Sequence, residues 1–230
     1  QVYNHMIMPL ANRRDQVTQV KWGVFEFKHR FKRDPEGIWL PETACDEDTL
    51  EVLIEKGIRF TLLAPQQARA TKSLHHGPWH DVSEGTIDPG VPYRFFSKNG
   101  PSRFIDLFFY DQSIAHDVAF GNLAFEAKLF ASRLEAAKLR GHAHHRLLHI
   151  ATDGETFGHH KAYGERALAY LLEVEAPRRG LNITNYGSFL ADHPPYSEVR
   201  LKEGGTSWSC AHGLKRWGEH CGCRGGGPAE

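Results

Sequence analysis

Three carboxylates stand just past short apolar runs: Glu42 after Gly37-Ile38-Trp39-Leu40-Pro41, Asp111 after Phe104–Tyr110, and Asp153 after Leu147–Thr152. In a parallel α/β barrel the carboxyl ends of the strands share one mouth, so acids far apart in sequence can converge there. A pair of such carboxylates suits glycoside hydrolysis. One attacks the anomeric carbon or activates water, while the other delivers a proton to the leaving oxygen. Trp39, three residues before Glu42, would offer a flat face to a sugar ring. For each acid taken alone, the plain alternative is a helix cap or a solvated charge.

The elements that would position these acids follow from patterning. Val17, Val20, Val24, Phe27 and Phe31 recur at spacings of three and four and predict a helix over 15–32, with Asp15 as N-cap. Pro41 cannot donate to a sheet ladder, so the strand 37–40 should stop before Glu42. Asp46 caps a second helix, 47–56, with Leu50, Leu53 and Ile54 inward and Gly57 after its end. A strand over 58–64 ends at Pro65-Gln66-Gln67. Residues 103–109 form a third strand and 146–152 a fourth, separated by a helix from about 121 to 140. A further helix is expected over 161–176, ended by Pro177, and a further strand over 181–184. Helices alternating with strands indicate parallel βα units.

Residues 70–100 break this rhythm and read as a long excursion, rich in His, Trp, Gly and Pro, with room for a small hairpin. The expected organisation is a partial catalytic barrel over 1–190 and an irregular Trp-, Cys- and Gly-rich segment over 191–230, which ends in the glycine-rich stretch 225–230.

Composition narrows the function. Twenty-eight basic residues balance 28 acidic ones, which argues against nucleic acid or an anionic membrane as partner. No apolar run approaches a membrane span. Four cysteines, Cys45, Cys210, Cys221 and Cys223, are too few and too uneven for a disulfide framework, so a reduced, cytoplasmic setting is expected. With no initiator Met, the chain reads as a piece of a longer protein.

Several motifs together carry a resemblance. Gly37-Ile38-Trp39-Leu40-Pro41-Glu42-Thr43-Ala44 and Ala151-Thr152-Asp153-Gly154-Glu155-Thr156-Phe157-Gly158-His159-His160 resemble the third and fourth conserved regions of glycoside hydrolase family 57. Asn4-His5-Met6-Ile7-Met8-Pro9-Leu10 resembles the end of the second region, and Phe108–Asp117 the segment between the third and fourth. The resemblance spans about residues 1–223 and is nearest the large bacterial family 57-like branch. It implies an α/β fold, an incomplete (β/α)7-type barrel with parallel strands. It further implies a retaining enzyme on α-glucans that needs no cofactor, with Glu42 as nucleophile and Asp153 as general acid/base. A retaining pair would stand roughly 5–5.5 Å apart. His5, Trp39, Asp111, His159, His160, Trp208, His212 and Trp217 are the candidates for binding an oligo- or polysaccharide. The family's first region, a His-Gln-Pro strand end, is missing, so the barrel would not close and the piece alone is expected to be inactive or poorly folded.

Two other readings compete. Cys210, His212, His220, Cys221 and Cys223 make a Cys/His cluster of the type that binds zinc, although its spacing matches no standard finger. A metal-dependent polysaccharide deacetylase would share the barrel, but its Asp-Asp and His-x-x-x-His pattern is poorly matched by Asp153-Gly154-Glu155 and adjacent His159-His160. A non-catalytic glucan-binding member of the same fold would keep the carboxylates without turnover.

Overall fold

The computed structural model describes residues 1–141, 143 and 145–223. The glycine-rich stretch 225–230 lies outside the described residues. The chain forms two compact units, one of residues 1–87, 92–109 and those from 195 onward, the other of residues 88–91 and 110–194.

The first unit is built on a seven-stranded sheet in the order β1-β2-β6-β5-β7-β3-β4. The strands are β1 (Gly37–Ile38), β2 (Phe60–Leu63), β3 (Ala68–Ser73), β4 (His80–Asp81), β5 (Tyr93–Phe96), β6 (Phe104–Phe109) and β7 (Ser197–Leu201). The fold is thus α/β with an open sheet, as expected of an incomplete barrel. The expected parallel pairing holds for β1, β2 and β6, with Gly37 opposite Phe60 and Thr61 opposite Leu107. β2 is buried along its whole length, as a strand covered on both faces should be, and its one hydroxyl, Thr61, donates to the Ile38 carbonyl at 2.8 Å. Gly37 is required at its place, because a Cβ there would collide with the Phe60 ring.

The rest of the sheet departs from the expectation. The excursion at 70–100 is partly sheet: β3 pairs antiparallel with β4 and with β7, and β5 pairs antiparallel with β6. β7 lies in the segment expected to be irregular. β3 reads Ala-Arg-Ala-Thr-Lys-Ser, without an apolar alternation, and its partner is more than a hundred residues away.

Helix α1 (Arg13–Phe31) starts two residues earlier than expected, because Asn12 rather than Asp15 is the cap and accepts the Asp15 N–H at 3.0 Å. Its buried face is partly polar: Gln16 and Gln19 sit beside Val20 and Gly23. Gln16 donates to the Met8 carbonyl at 2.8 Å and Gln19 accepts the Asn4 N–H at 2.7 Å, so both amides are satisfied inside. Phe31, expected inward, is exposed. Helix α2 (Glu47–Glu55) agrees with expectation, with Asp46 accepting the Thr49 N–H at 2.8 Å, Leu50 and Leu53 fully buried, and Gly57 at φ +75°.

The second unit is helical: α3 (Gln112–Ala119), α4 (Ala127–Lys138), α5 (Gly164–Tyr170), α6 (Ala176–Arg178) and α7 (Tyr186–Asp192). Ile114, Val118, Leu123, Phe130, Ala131 and Leu171 form its core. The expected strand at 146–152 is extended chain without a ladder. It is tied at two points, Leu147 N–H to the Gly90 carbonyl (3.0 Å) and the Asp111 N–H to the His149 carbonyl (3.0 Å), while Leu148 and Ile150 pack on the core. Residues 181–184 form no strand. Pro177 does not end its helix. The preceding turn, Leu171–Glu175, widens to π geometry and the chain stays helical to Arg178. A π turn absorbs the hydrogen bond and the space that the proline ring denies to an ordinary helix. No helix among the described residues is long and apolar enough to cross a membrane.

Candidate active site

Directly after β1, Pro41–Thr43 form a single 3-10 turn. Within it Glu42 (φ +57°) and Thr43 (φ +49°) both occupy the left-handed region. Non-glycine residues pay for that conformation, of order 1–3 kcal/mol each, and hold it only where their surroundings fix it. The fixing group here is Gln67, which is fully buried at the end of the turn after β2. Its Oε1 accepts the Ala64 N–H and the Thr43 hydroxyl, each at 2.8 Å. Its Nε2 donates to the Thr43 carbonyl at 2.8 Å and to the Thr206 Oγ1 at 3.1 Å. All the hydrogen-bonding capacity of one amide is therefore spent joining three segments. Cys45 and Thr206 add a two-way backbone bridge, at 2.9 and 3.0 Å.

The segment so attached brings Trp208 to Glu42. The indole N–H donates to Glu42 Oε2 at 3.0 Å, and the Trp208 backbone N–H donates to the Glu42 carbonyl at 3.1 Å. Trp39 meets Trp208 edge to face, centroids 5.2 Å apart. His5 Nε2 lies 3.6 Å from Glu42 Oε1. Burial alone would raise the Glu42 pKa. Hydrogen bonding from the Ser209 side chain, the Trp208 indole and His5 outweighs it and holds the carboxyl below its ordinary range. The Ser209 hydroxyl is itself buried. The result is a half-buried, ionised carboxylate held by Trp208 and His5, with Trp39 packed on the Trp208 ring.

The other candidates are placed as follows. Asp153 belongs to the second unit and is exposed at the start of a 3-10 turn (Gly154–Thr156), its carbonyl accepting the Thr156 N–H at 3.0 Å. His159 and His160 follow, both exposed, with rings 4.8 Å apart. Asp111 is buried with its carboxylate occupied: one oxygen caps α3 through the Ile114 N–H (3.1 Å) and the other is paired with Arg140. Its surroundings are those of a structural cap. His212 stands among cysteines, Nδ1 3.2 Å from Cys223 Sγ. Trp217 closes a 3-10 turn, Lys215–Trp217, with the Arg216 guanidinium 5.7 Å from its ring centre.

Sequence reasoning missed Gln67, Thr206 and Ser209. One signal was available: Pro65-Gln66-Gln67 follows β2 as Pro41-Glu42 follows β1, the same strand-stop-polar arrangement on the neighbouring strand.

Cys210 Sγ lies 3.8 Å from Cys221 Sγ and 3.6 Å from Cys223 Sγ. Burial pushes the Cys210 thiol up, but backbone N–H groups of Arg216 and His212 and the neighbouring thiols outweigh it and leave it lowered. His220 is not part of this group.

The fold resembles those of known α-glucan enzymes. A branching enzyme of family 57 from the hyperthermophilic archaeon Thermococcus kodakaraensis, crystallised with glucose, superposes with a TM-score of 0.67 at 17% identity, over 90% of this chain and 48% of that one. A family 57-type branching enzyme from Pyrococcus horikoshii gives 0.67 at 22% identity, over 93% and 47%. The 4-α-glucanotransferase of Thermococcus litoralis gives 0.58 at 18%, over 88% and 27%. The chain spans about half the length of the two branching enzymes. No curated protein matches it. The model of glycosyl hydrolase family 57 matches residues 1–202, most of the chain, and the protein belongs to that family.

Proposed function

We propose that this chain supplies catalytic residues of a retaining glycosidase or glucanotransferase acting on α-glucans, with Glu42 as nucleophile and Asp153 as general acid/base. The observation that carries the reading is the state of Glu42. A nucleophilic carboxylate must be ionised at working pH. Among the described residues Glu42 is kept so by hydrogen-bond donors and His5 rather than by a salt bridge to Arg or Lys, which would blunt its reactivity. Its strained backbone turn is of the kind that gathers at functional sites. The Trp39–Trp208 pair beside it suits stacking on sugar rings.

In the proposed reaction the Glu42 carboxylate attacks the anomeric carbon while Asp153 gives its proton to the departing glycosidic oxygen. Asp153 then takes a proton from water or from an acceptor sugar hydroxyl, which displaces Glu42. The exposure of Asp153 leaves it free to exchange that proton. His5, His159 and His160 are proposed to bind sugar hydroxyls. The names of the structural relatives, branching enzymes and a 4-α-glucanotransferase, are consistent with either fate of the glycosyl group.

The test is turnover of an α-glucan panel by the intact parent protein, wild type beside Glu42→Gln. The variant is expected to fold normally and lose activity by at least ~10³-fold, as removal of a nucleophile does. Full activity in Glu42→Gln overturns the assignment. Glucan binding without turnover by the wild type would instead make this a non-catalytic member, and metal-dependent release of acetate from an acetylated polysaccharide would favour a deacetylase.

A further inference from the structure

We infer that Cys210, His212, Cys221 and Cys223 form a structural metal site of the zinc class. Their four donor atoms, three Sγ and one ring nitrogen, all lie within 4.8 Å of one another. A tetrahedral ion with bonds of about 2.3 Å to sulfur sets its sulfurs about 3.8 Å apart, and the two measured sulfur separations, 3.6 and 3.8 Å, match that edge. A disulfide requires about 2.05 Å, and one formed here would leave the third sulfur of the cluster without a bond. All four cysteines of the chain are free, and only Cys45 stands outside the cluster. Three soft thiolates and one imidazole suit zinc over the hard, oxygen-seeking cations.

The surroundings are those of a metal knuckle. Gly213 adopts φ +77° and donates its N–H to the Cys210 carbonyl at 3.2 Å, which folds Cys210–Gly213 into a tight turn. Arg216 donates to the Ser209 carbonyl at 2.7 Å. Between Lys202 and Cys223 the only helical element is Lys215–Trp217, and the buried side chains are few. A segment this poor in core gains most from a metal crosslink. On binding a divalent ion the three thiols release their protons to solvent and the imidazole binds neutral, leaving one net negative charge.

Cys210 follows Trp208 and Ser209, the residues beside the Glu42 carboxylate. The metal would therefore fix the segment that keeps Glu42 ionised. The site itself stands on its own geometry; only its service to catalysis rests on the function proposed above.

The test is metal analysis of the whole chain purified under reducing conditions, together with cobalt substitution. About one zinc per chain is expected, released in step with titration of three thiols by a mercurial. Cobalt should give the sulfur-to-metal charge-transfer band and intense visible bands of a tetrahedral thiolate site. Cys210→Ser and Cys223→Ser should lose metal, while His220→Ala and Glu42→Gln should retain it. Wild-type protein that takes up cobalt without thiolate bands, or that holds a disulfide within the cluster after reduction and repurification, overturns the proposal. Because metal content is read without glucan, failure of the catalytic assignment leaves this result standing.

Discussion

Trp208 holds Glu42 by two hydrogen bonds at once, its indole N–H on the carboxylate and its backbone N–H on the carbonyl. The same residue therefore sets both the charge and the backbone placement of Glu42. Replacement with Phe removes the first contact and keeps the second. Trp208→Phe should raise the Glu42 pKa and shift the acid limb of the pH–rate profile of the intact parent upward, with the fold retained. An unchanged limb, or an unchanged Glu42 titration followed by carbon NMR, would detach Trp208 from the carboxylate.

Gln67 should be among the least replaceable residues of the chain. Gln67→Leu strands the Ala64 N–H, the Thr43 carbonyl and the Thr206 hydroxyl inside the protein, each costing roughly 1–3 kcal/mol. A loss on the order of 3 kcal/mol or more is expected, which at this chain length lowers Tm by roughly 6–12 °C. Gln67→Glu should fail too, since a carboxylate has no proton to give the Thr43 carbonyl. Calorimetry of both variants checks this; a Tm within two or three degrees of wild type in either one contradicts it.

Asp88 and Arg146 provide a second measure within the helical unit. The Arg146 side chain is 5% exposed and forms a two-pronged pair with Asp88. Asp88→Ala leaves that guanidinium buried without its carboxylate, at a cost of about 3–5 kcal/mol, readable as a fall in denaturant midpoint. Lys28 and Asp34 are exposed on both sides, at 52% and 76% of their side chains, so Lys28→Gln should cost about 1 kcal/mol or less in the same experiment.

Acid should loosen both units. Burial raises the Asp88 pKa, but the Arg146 pair and the Gly90 N–H outweigh it, so Asp88, like Glu42, titrates below its ordinary value when folded. A carboxyl lowered by folding stabilises the protein fully above its unfolded pKa, and that contribution disappears as pH falls through the folded one. The contribution of these two carboxylates should therefore be constant near neutrality and be lost as pH falls below the normal carboxylate range. Asp88→Asn should flatten part of that decline; an unaltered slope would show that the pair is not linked to folding.

Much of the scaffold could be read from the sequence. Pro41 and Pro65 mark the ends of β1 and β2, and Asp46 with Gly57 brackets α2. Each is local, a matter of φ restriction or a cap, and local rules carry such features. Residues 146–152 look like a strand by composition, yet without a partner along the segment they lie as extended chain over the helical core. The β3–β7 pairing was hidden because pairing is a long-range property and neither strand announces its partner. The buried amides Gln16, Gln19 and Gln67 were missed because glutamine is ordinarily a surface residue. The left-handed turn at Glu42 could not be foreseen, since glutamate has no preference for that region and adopts it only through tertiary hydrogen bonds.

The sequence separation of 166 positions from Glu42 to Trp208 also sets an order of events. During synthesis β1 and the Pro41–Thr43 turn emerge early, but Gln67 and then Thr206 and Trp208 must arrive before the left-handed turn has its restraints. Contacts this distant in sequence form late, after loop closure has been paid for. A nascent chain stopped short of residue 206 should therefore carry Glu42 in a relaxed, solvated turn. The carboxylate becomes an organised site only once the chain through Trp208 has left the ribosome, so the site assembles well after the strand that carries it.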